Sequence, residues 1–173
     1  MKEILELLKY TVPAIIVFLT SLYILKTIIR DNQKNRRTEI IIKNQSIITP
    51  IRLQAYERLS LFLERISIES LVMRTGDNKS SAKQIHTELL KTIRDEYNHN
   101  VSQQVYVSLQ AWEIIKNAKV NTVKLITDTA SKLKHDASGI ELKQKIIERL
   151  IQEEKSHTNI ALNFLKKEIG QLF

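Results

Sequence analysis

Cysteine is absent from this chain, and glycine and proline occur only three and two times in 173 residues. Without cysteine there is no disulfide framework, no iron–sulfur cluster and no thiolate zinc site. The absence also fits a reducing compartment. So little glycine and proline is poor material for the turns of sheet proteins and loop-rich enzymes, and favours long helices with short connections. Three scattered glycines cannot make a phosphate-cradling loop. No Ser/His/Asp arrangement has supporting context. The few aromatic residues do not interleave with a basic patch as a nucleic-acid surface requires. The length suits one domain plus an anchor.

What is present is helical periodicity, one apolar run and an excess of positive charge. The net charge is +8, of which residues 1–30 carry +2, residues 31–49 another +2 and residues 50–173 only +4. The excess is therefore densest just after the apolar run, a pattern suited to anionic lipid headgroups.

From Tyr10 to Leu25 no side chain is charged. These residues fall short of the roughly 20 needed to cross a hydrocarbon core. Lys9 and Lys26 can lay their stems along lipid and keep their ammonium groups at the interface. Ile28 and Ile29 add length, so the effective span is Lys9 to Ile29. Tyr10 and Tyr23 sit near its ends, where amphipathic rings prefer to lie. Pro13 falls in the first turns, where a missing amide donor matters least. A cleaved signal peptide would end in a small-x-small site, and the run ends Tyr-Ile-Leu-Lys instead. A buried core helix would not explain the basic cluster that follows. Arg30, Lys34, Arg36 and Arg37 follow the span, with Lys26 at its edge. Only Lys2, Lys9 and the terminal amine precede it. The positive-inside rule then puts the N-terminus outside and the C-terminal part in the cytoplasm.

The expected architecture is all-α: a single N-terminal transmembrane helix plus a cytoplasmic bundle of about five helices. Residues 1–29 are the anchor, 30–48 a juxtamembrane basic linker helix and 49–173 the bundle. In the linker, Ile40, Ile41, Ile47 and Ile48 recur at spacing seven, a narrow stripe that could pack on the domain or on a second copy as a short coiled coil. Thr49-Pro50 reads as a fresh helix start. The next helix carries a wide apolar face: Leu53, Tyr56, Leu59, Leu61, Phe62, Leu63 and Ile66. A loop at 74–80 precedes a helix over about 81–105, capped by Ser80 or Ser81. Ser108 caps a helix over about 109–134, with Trp112 in the core. Ser138 caps a helix through Ile151, and His157 or Thr158 begins the last one. Leu172 and Phe173 are docked core or a partner's handle.

Several stretches carry a resemblance. Ile48-Thr49-Pro50-Ile51-Arg52-Leu53-Gln54-Ala55-Tyr56-Glu57-Arg58-Leu59, with Leu61-Phe62-Leu63-Glu64-Arg65-Ile66, resembles an uncharacterised family of small bacterial inner-membrane proteins, a domain of unknown function. Ile93-Arg94-Asp95-Glu96-Tyr97-Asn98-His99-Asn100, Ser102–Ser108, Ala111-Trp112, Ala118-Lys119 and Ala161–Glu168 also match. The resemblance covers nearly all of the chain after residue 48. It implies an N-terminal anchor and a helical cytoplasmic domain, and no activity, cofactor or site residue.

The polar residues offer three chemistries. Glu57, Arg58, Glu64 and Arg65 form a charged ridge, and Asn98, His99, Gln103 and Gln104 a polar patch; together these are the candidate interaction surface. Glu96-x-x-His99 and Glu154-x-x-His157, with Glu57 or Glu64 and Glu113, would match the ligand set of a di-iron bundle. The charged run around Glu154 reads more simply as a solvated face. Lys116, Lys119, Lys124, Lys132 and Lys134 would be the means of a membrane tether for nucleic acid. The expectation that follows is a non-enzymatic scaffold, a subunit of an inner-membrane complex, with no cofactor, metal or catalytic residue. Its partners would be membrane lipid and either an unidentified protein or a second copy.

Overall fold

A computed structural model of the chain describes residues 2–76, 80–153 and 156–171, without the side chains of 2–10, 12–14, 31, 34, 35, 37, 38 and 41. The described residues are all helical or connecting: six α-helices, one 3-10 helix and no strand. The chain divides into two compact units, Met1–Thr49 and Pro50–Phe173.

Helix α1 (Lys2–Arg65) forms the whole of the described first unit and enters the second. The fresh start expected at Thr49-Pro50 is absent, because the helix runs through both residues. Pro50 has no amide to give the Ser46 carbonyl, and a helix-interior proline costs about 3 kcal/mol. That is one lost bond among many, and each flanking residue adds its own once the helix is nucleated. The Ile40-Ile41-Ile42 run is also helical despite its β-branching. Ile40, Ile42, Ile47 and Ile48 are exposed along it. So are Ile15, Ile16, Val17, Phe18, Leu19, Leu22, Tyr23, Ile24, Leu25, Ile28 and Ile29. Among the described residues no helix is long and apolar enough to cross a membrane. The expected span draws part of its length from side chains at 9, 10 and 12–14, which lie outside the described residues.

In the second unit the end of α1 supplies Tyr56, Leu59, Phe62, Leu63 and Ile66 to the core, all essentially inaccessible. Leu53 and Leu61, expected inside, are 46% and 52% exposed. The buried face is thus narrower than the run of leucines suggests. A short helix α2 (Ile68–Arg74), capped by Ser67, follows directly and buries Ile68 and Leu71. Gly76 then takes φ +70, the left-handed region where a side chain is strained. A Cβ there would also lie 2.0 Å from Ile85 Cδ1.

Helix α3 (Ala82–Asn100) starts with a capping box. Ser81 Oγ accepts from the Gln84 amide at 3.3 Å, and Gln84 Oε1 accepts from the Ser81 amide at 2.9 Å. It buries Ile85, Leu89 and Ile93 at spacing four. It ends at Asn100 rather than 105, and Val101–Val105 form a 3-10 helix. Asn100 Nδ2 donates to the Glu96 carbonyl at 2.8 Å. That side-chain bond competes with the α-ladder at the point where the backbone tightens. Val101 and Val105 are consequently exposed.

Helix α4 (Leu109–Ala130) is capped by Ser108, whose Oγ accepts from the Ala111 amide at 3.0 Å. Trp112 is buried, stacked on Tyr97 at 5.8 Å between centroids, and Tyr97 tilts against Phe62 at 6.1 Å. The helix stops at 130, not 134, as tighter bonds from Lys132 to Thr129 and from Leu133 to Ala130 take over. Helix α5 (Gly139–Gln152) is capped by Ser138 and buries Leu142 and Ile146. Helix α6 (His157–Gly170) packs Ala161, Leu162 and Leu165 into the same core. Leu172 and Phe173 lie outside the described residues.

The starts of α3 and α5 meet. The Ala82 amide donates to Ala137 O at 3.0 Å, and the Gly139 amide to Ser80 O at 2.8 Å. Gly139 is required by this approach: a Cβ would lie 2.7 Å from the Ser80 carbonyl oxygen.

Candidate functional site

The residues of the expected interaction surface divide between a groove and open surface. Arg58, Phe62 and Arg65 from α1 face Glu96, His99 and Asn100 from α3 across a groove of about 220 Å³. Helical geometry explains the grouping, since Arg58 and Phe62 are four residues apart and Glu96 and His99 three. Arg65 Nη1 donates to both Glu96 oxygens, at 3.3 and 3.2 Å. The Arg74 guanidinium donates to the Arg65 carbonyl, so α2 fastens to the end of α1. The Arg65 side chain is 46% exposed and that of Glu96 16%. Such a half-exposed pair contributes little to stability.

Glu57, Glu64, Asn98 and Gln104 are exposed and do not line the groove. Gln103 Nε2 donates to Ser102 Oγ at 3.3 Å. Gln103 is thus bonded within its own segment, while His99 and Arg58 line the groove with no partner among the described residues. Of the basic residues flanking the apolar run, Lys26, Arg30 and Arg36 are exposed. The side chains of Lys9, Lys34 and Arg37 lie outside the described residues.

Among the described residues the di-metal ligand set is not assembled. Glu96 is engaged by Arg65, Glu113 by Lys116 at 2.6 Å, and Glu154 lies outside the described residues. Among the described residues no three His, Asp or Glu side chains gather where they could hold a metal. The lysine row of α4 is also partly occupied. Lys116 pairs with Glu113, and Lys119 Nζ sits 3.8 Å above the Tyr97 ring centre, an attraction of ammonium for the ring face.

A second polar assembly was not anticipated from the sequence. Tyr56, fully buried on α1, donates its hydroxyl to Glu168 Oε1 on α6 at 2.6 Å. Ser108 Oγ donates to the other oxygen, Glu168 Oε2, at 3.1 Å while capping α4. Arg52 Nε donates to the Tyr106 carbonyl at 3.1 Å. Burial first, then the bond to and charge of Glu168, push the Tyr56 pKa up to about 12, against the opposing pull of Arg52. The Glu168 carboxylate sits by the start of α4, where helix amides favour negative charge. This cluster joins α1, α4 and α6. Nothing in it is poised to attack a substrate: the phenol is held neutral and enclosed. The only hint available beforehand was Arg52 and Tyr56 four residues apart on one helix face.

Residues 2–172 match the model of the family of unknown function DUF7935, and the chain belongs to that family. No curated protein and no solved structure matches it.

Proposed function

We propose that this member of an uncharacterised family is a non-enzymatic, membrane-tethered interaction protein. It would serve as a subunit of an assembly in a bacterial inner membrane, with the bundle on the cytoplasmic side. One observation carries the reading. The apolar side chains from Ile15 to Ile29 project from all sides of one helix, and every one of them is exposed. A helix that is apolar all round belongs in a protein core or in lipid. At about 25 cal/mol per Å² of apolar surface, leaving so many large side chains in water is strongly unfavourable. Exposed Lys26, Arg30 and Arg36 on the side facing the bundle in sequence supply the positive flank that retains that end inside.

The second unit supports an interaction role by what it offers chemically. Its described polar groups form structural bonds and a shallow charged groove at Arg58, Arg65, Glu96 and His99, the place we assign to a protein partner.

The test is fractionation of the full-length chain expressed in a bacterium. It should stay with membranes through an alkaline carbonate wash and leave them only in detergent. Recovery of unprocessed protein in the aqueous fraction would refute the anchor. Fusion of a cytoplasm-only reporter to the C-terminus should be active, and a periplasm-only reporter silent. A detergent-solubilised protein that is strictly monomeric and partner-free would refute the scaffold role.

A further inference from the structure

We infer that the pocket between the start of α3 and the end of α4 is an anion site, built for a phosphate group that is either inorganic or a monoester. It encloses about 380 Å³, within the size range of small-molecule sites. Lys83 and His86 reach it from the first turns of α3, Thr127 and Ser131 from the end of α4, and Lys134 and His135 from the turn beyond. No carboxylate is among its lining residues. Asp128, beside Thr127 in the chain, is paired instead with Arg149 on α5 at 3.6 Å.

Two lysines and two histidines thus line one hollow, with Thr127 and Ser131 at its α4 end. Each lysine supplies three donors and His135 a ring N–H, while the Ser131 hydroxyl already donates to the Asp128 carbonyl at 3.0 Å and that of Thr127 is engaged with His86. A carboxylate has two oxygens in one plane and would use few of these. A phosphate presents oxygens in several directions and can be met from three segments at once. His86 Nε2 lies 3.4 Å from Thr127 Oγ1, which holds the ring across the pocket. The first turn of α3 adds the positive end of its dipole.

The plainer account is that Lys134 and His135 merely complement the negative end of α4. The carbonyls there are already used: Thr127, Thr129 and Ala130 accept from the amides of Ser131, Lys132 and Leu133 at 2.9, 3.3 and 3.2 Å. That account also leaves Lys83, on the facing helix, without a purpose. Like charges gathered at one hollow repel one another, and a bound anion relieves the repulsion.

The experiment uses the full-length chain in detergent micelles, titrated calorimetrically with inorganic phosphate and, separately, with phosphatidate in mixed micelles against phosphatidylcholine alone. The wild type should bind one of the two phosphate probes at concentrations up to about 10 mM. Lys83→Ala/Lys134→Ala should weaken that binding about tenfold or more. Lys124→Ala/Lys166→Ala, which removes the same charge from exposed positions outside the pocket, should leave it unchanged. Binding of inorganic phosphate with this pattern assigns a free phosphate ligand. Binding of phosphatidate alone, with the same pattern, assigns a lipid headgroup. No binding of either probe, or equal weakening by both double variants, overturns the site.

Discussion

Tyr56 is the largest fully buried polar side chain described, and its hydroxyl is tolerable in the core because Glu168 accepts from it at 2.6 Å. Tyr56→Phe keeps the ring and deletes the bond. We expect a loss of about 1.5–3 kcal/mol in urea unfolding near neutral pH, the range for a bond to a charged acceptor. The same bond sets an alkaline limit. The folded protein holds the phenol proton up to about pH 12, and the unfolded chain releases it near 10. Between those values the folded state binds more protons, so stability falls as pH rises. Below about pH 10 the contribution is intact. Unfolding curves from pH 8 to 11.5 should show the wild type losing more than Tyr56→Phe, and parallel losses would refute the assignment. Tyr56 was legible as a core residue from its helix face. Its partner was not, because periodicity reports which way a side chain points and says nothing of a residue 112 positions away.

Among the helices, the caps were the legible part. Ser108 and Ser138 each begin a helix where the sequence places one, and Ser81 closes a box with Gln84. A hydroxyl before an apolar run is a local device, so a local reading finds it. The two serines nonetheless differ. Ser138→Ala removes one cap, worth about 1 kcal/mol. Ser108→Ala also strips a donor from Glu168, so it should cost more, by about another 1 kcal/mol. Equal midpoints in urea for the two variants would show that the Glu168 contact adds nothing. Elements shaped by competition escaped the pattern. The seven residues of α2 are too few to show a period. The 3-10 turn after Asn100 follows from one side chain taking a backbone acceptor. At Pro50 a strong local stop signal lost to the continuity of a long helix. The groove was half legible, since Glu96 and His99 share a face by spacing, while Arg65 reaches them from another helix. The pocket of Lys83, His86, Lys134 and His135 was not legible, because only the meeting of α3 with the end of α4 assembles it.

At the scale of the molecule, an all-α chain of this family carries two units of opposite surface character. Among the described residues the second gathers a core of buried apolar side chains, with others such as Leu53, Leu61 and Leu109 exposed, while the large apolar side chains of the first are all exposed. The contrast gives the anchor reading a direct test. Phe18 stands mid-run and is 63% exposed. An arginine at the centre of a spanning helix costs about 2.5–3.5 kcal/mol for insertion. Phe18→Arg with Ile24→Arg should therefore move much of the chain from the membrane pellet to the supernatant. The same pair at Ile47 and Ile48 should leave it in the pellet. Fractionation that is indifferent to both pairs would remove the lipid role from residues 15–29.

The first amides of a helix have no acceptor within it and ordinarily trade hydrogen with water in moments. Those of Ala82 and Gly139 are spoken for by carbonyls of the opposite strand of chain, at 3.0 and 2.8 Å. Their deuterium uptake should therefore be slow, governed by opening of the whole domain rather than by fraying of a helix end. Two sluggish protons at sites that ought to be quick would mark where chain segments far apart in sequence are buttoned together.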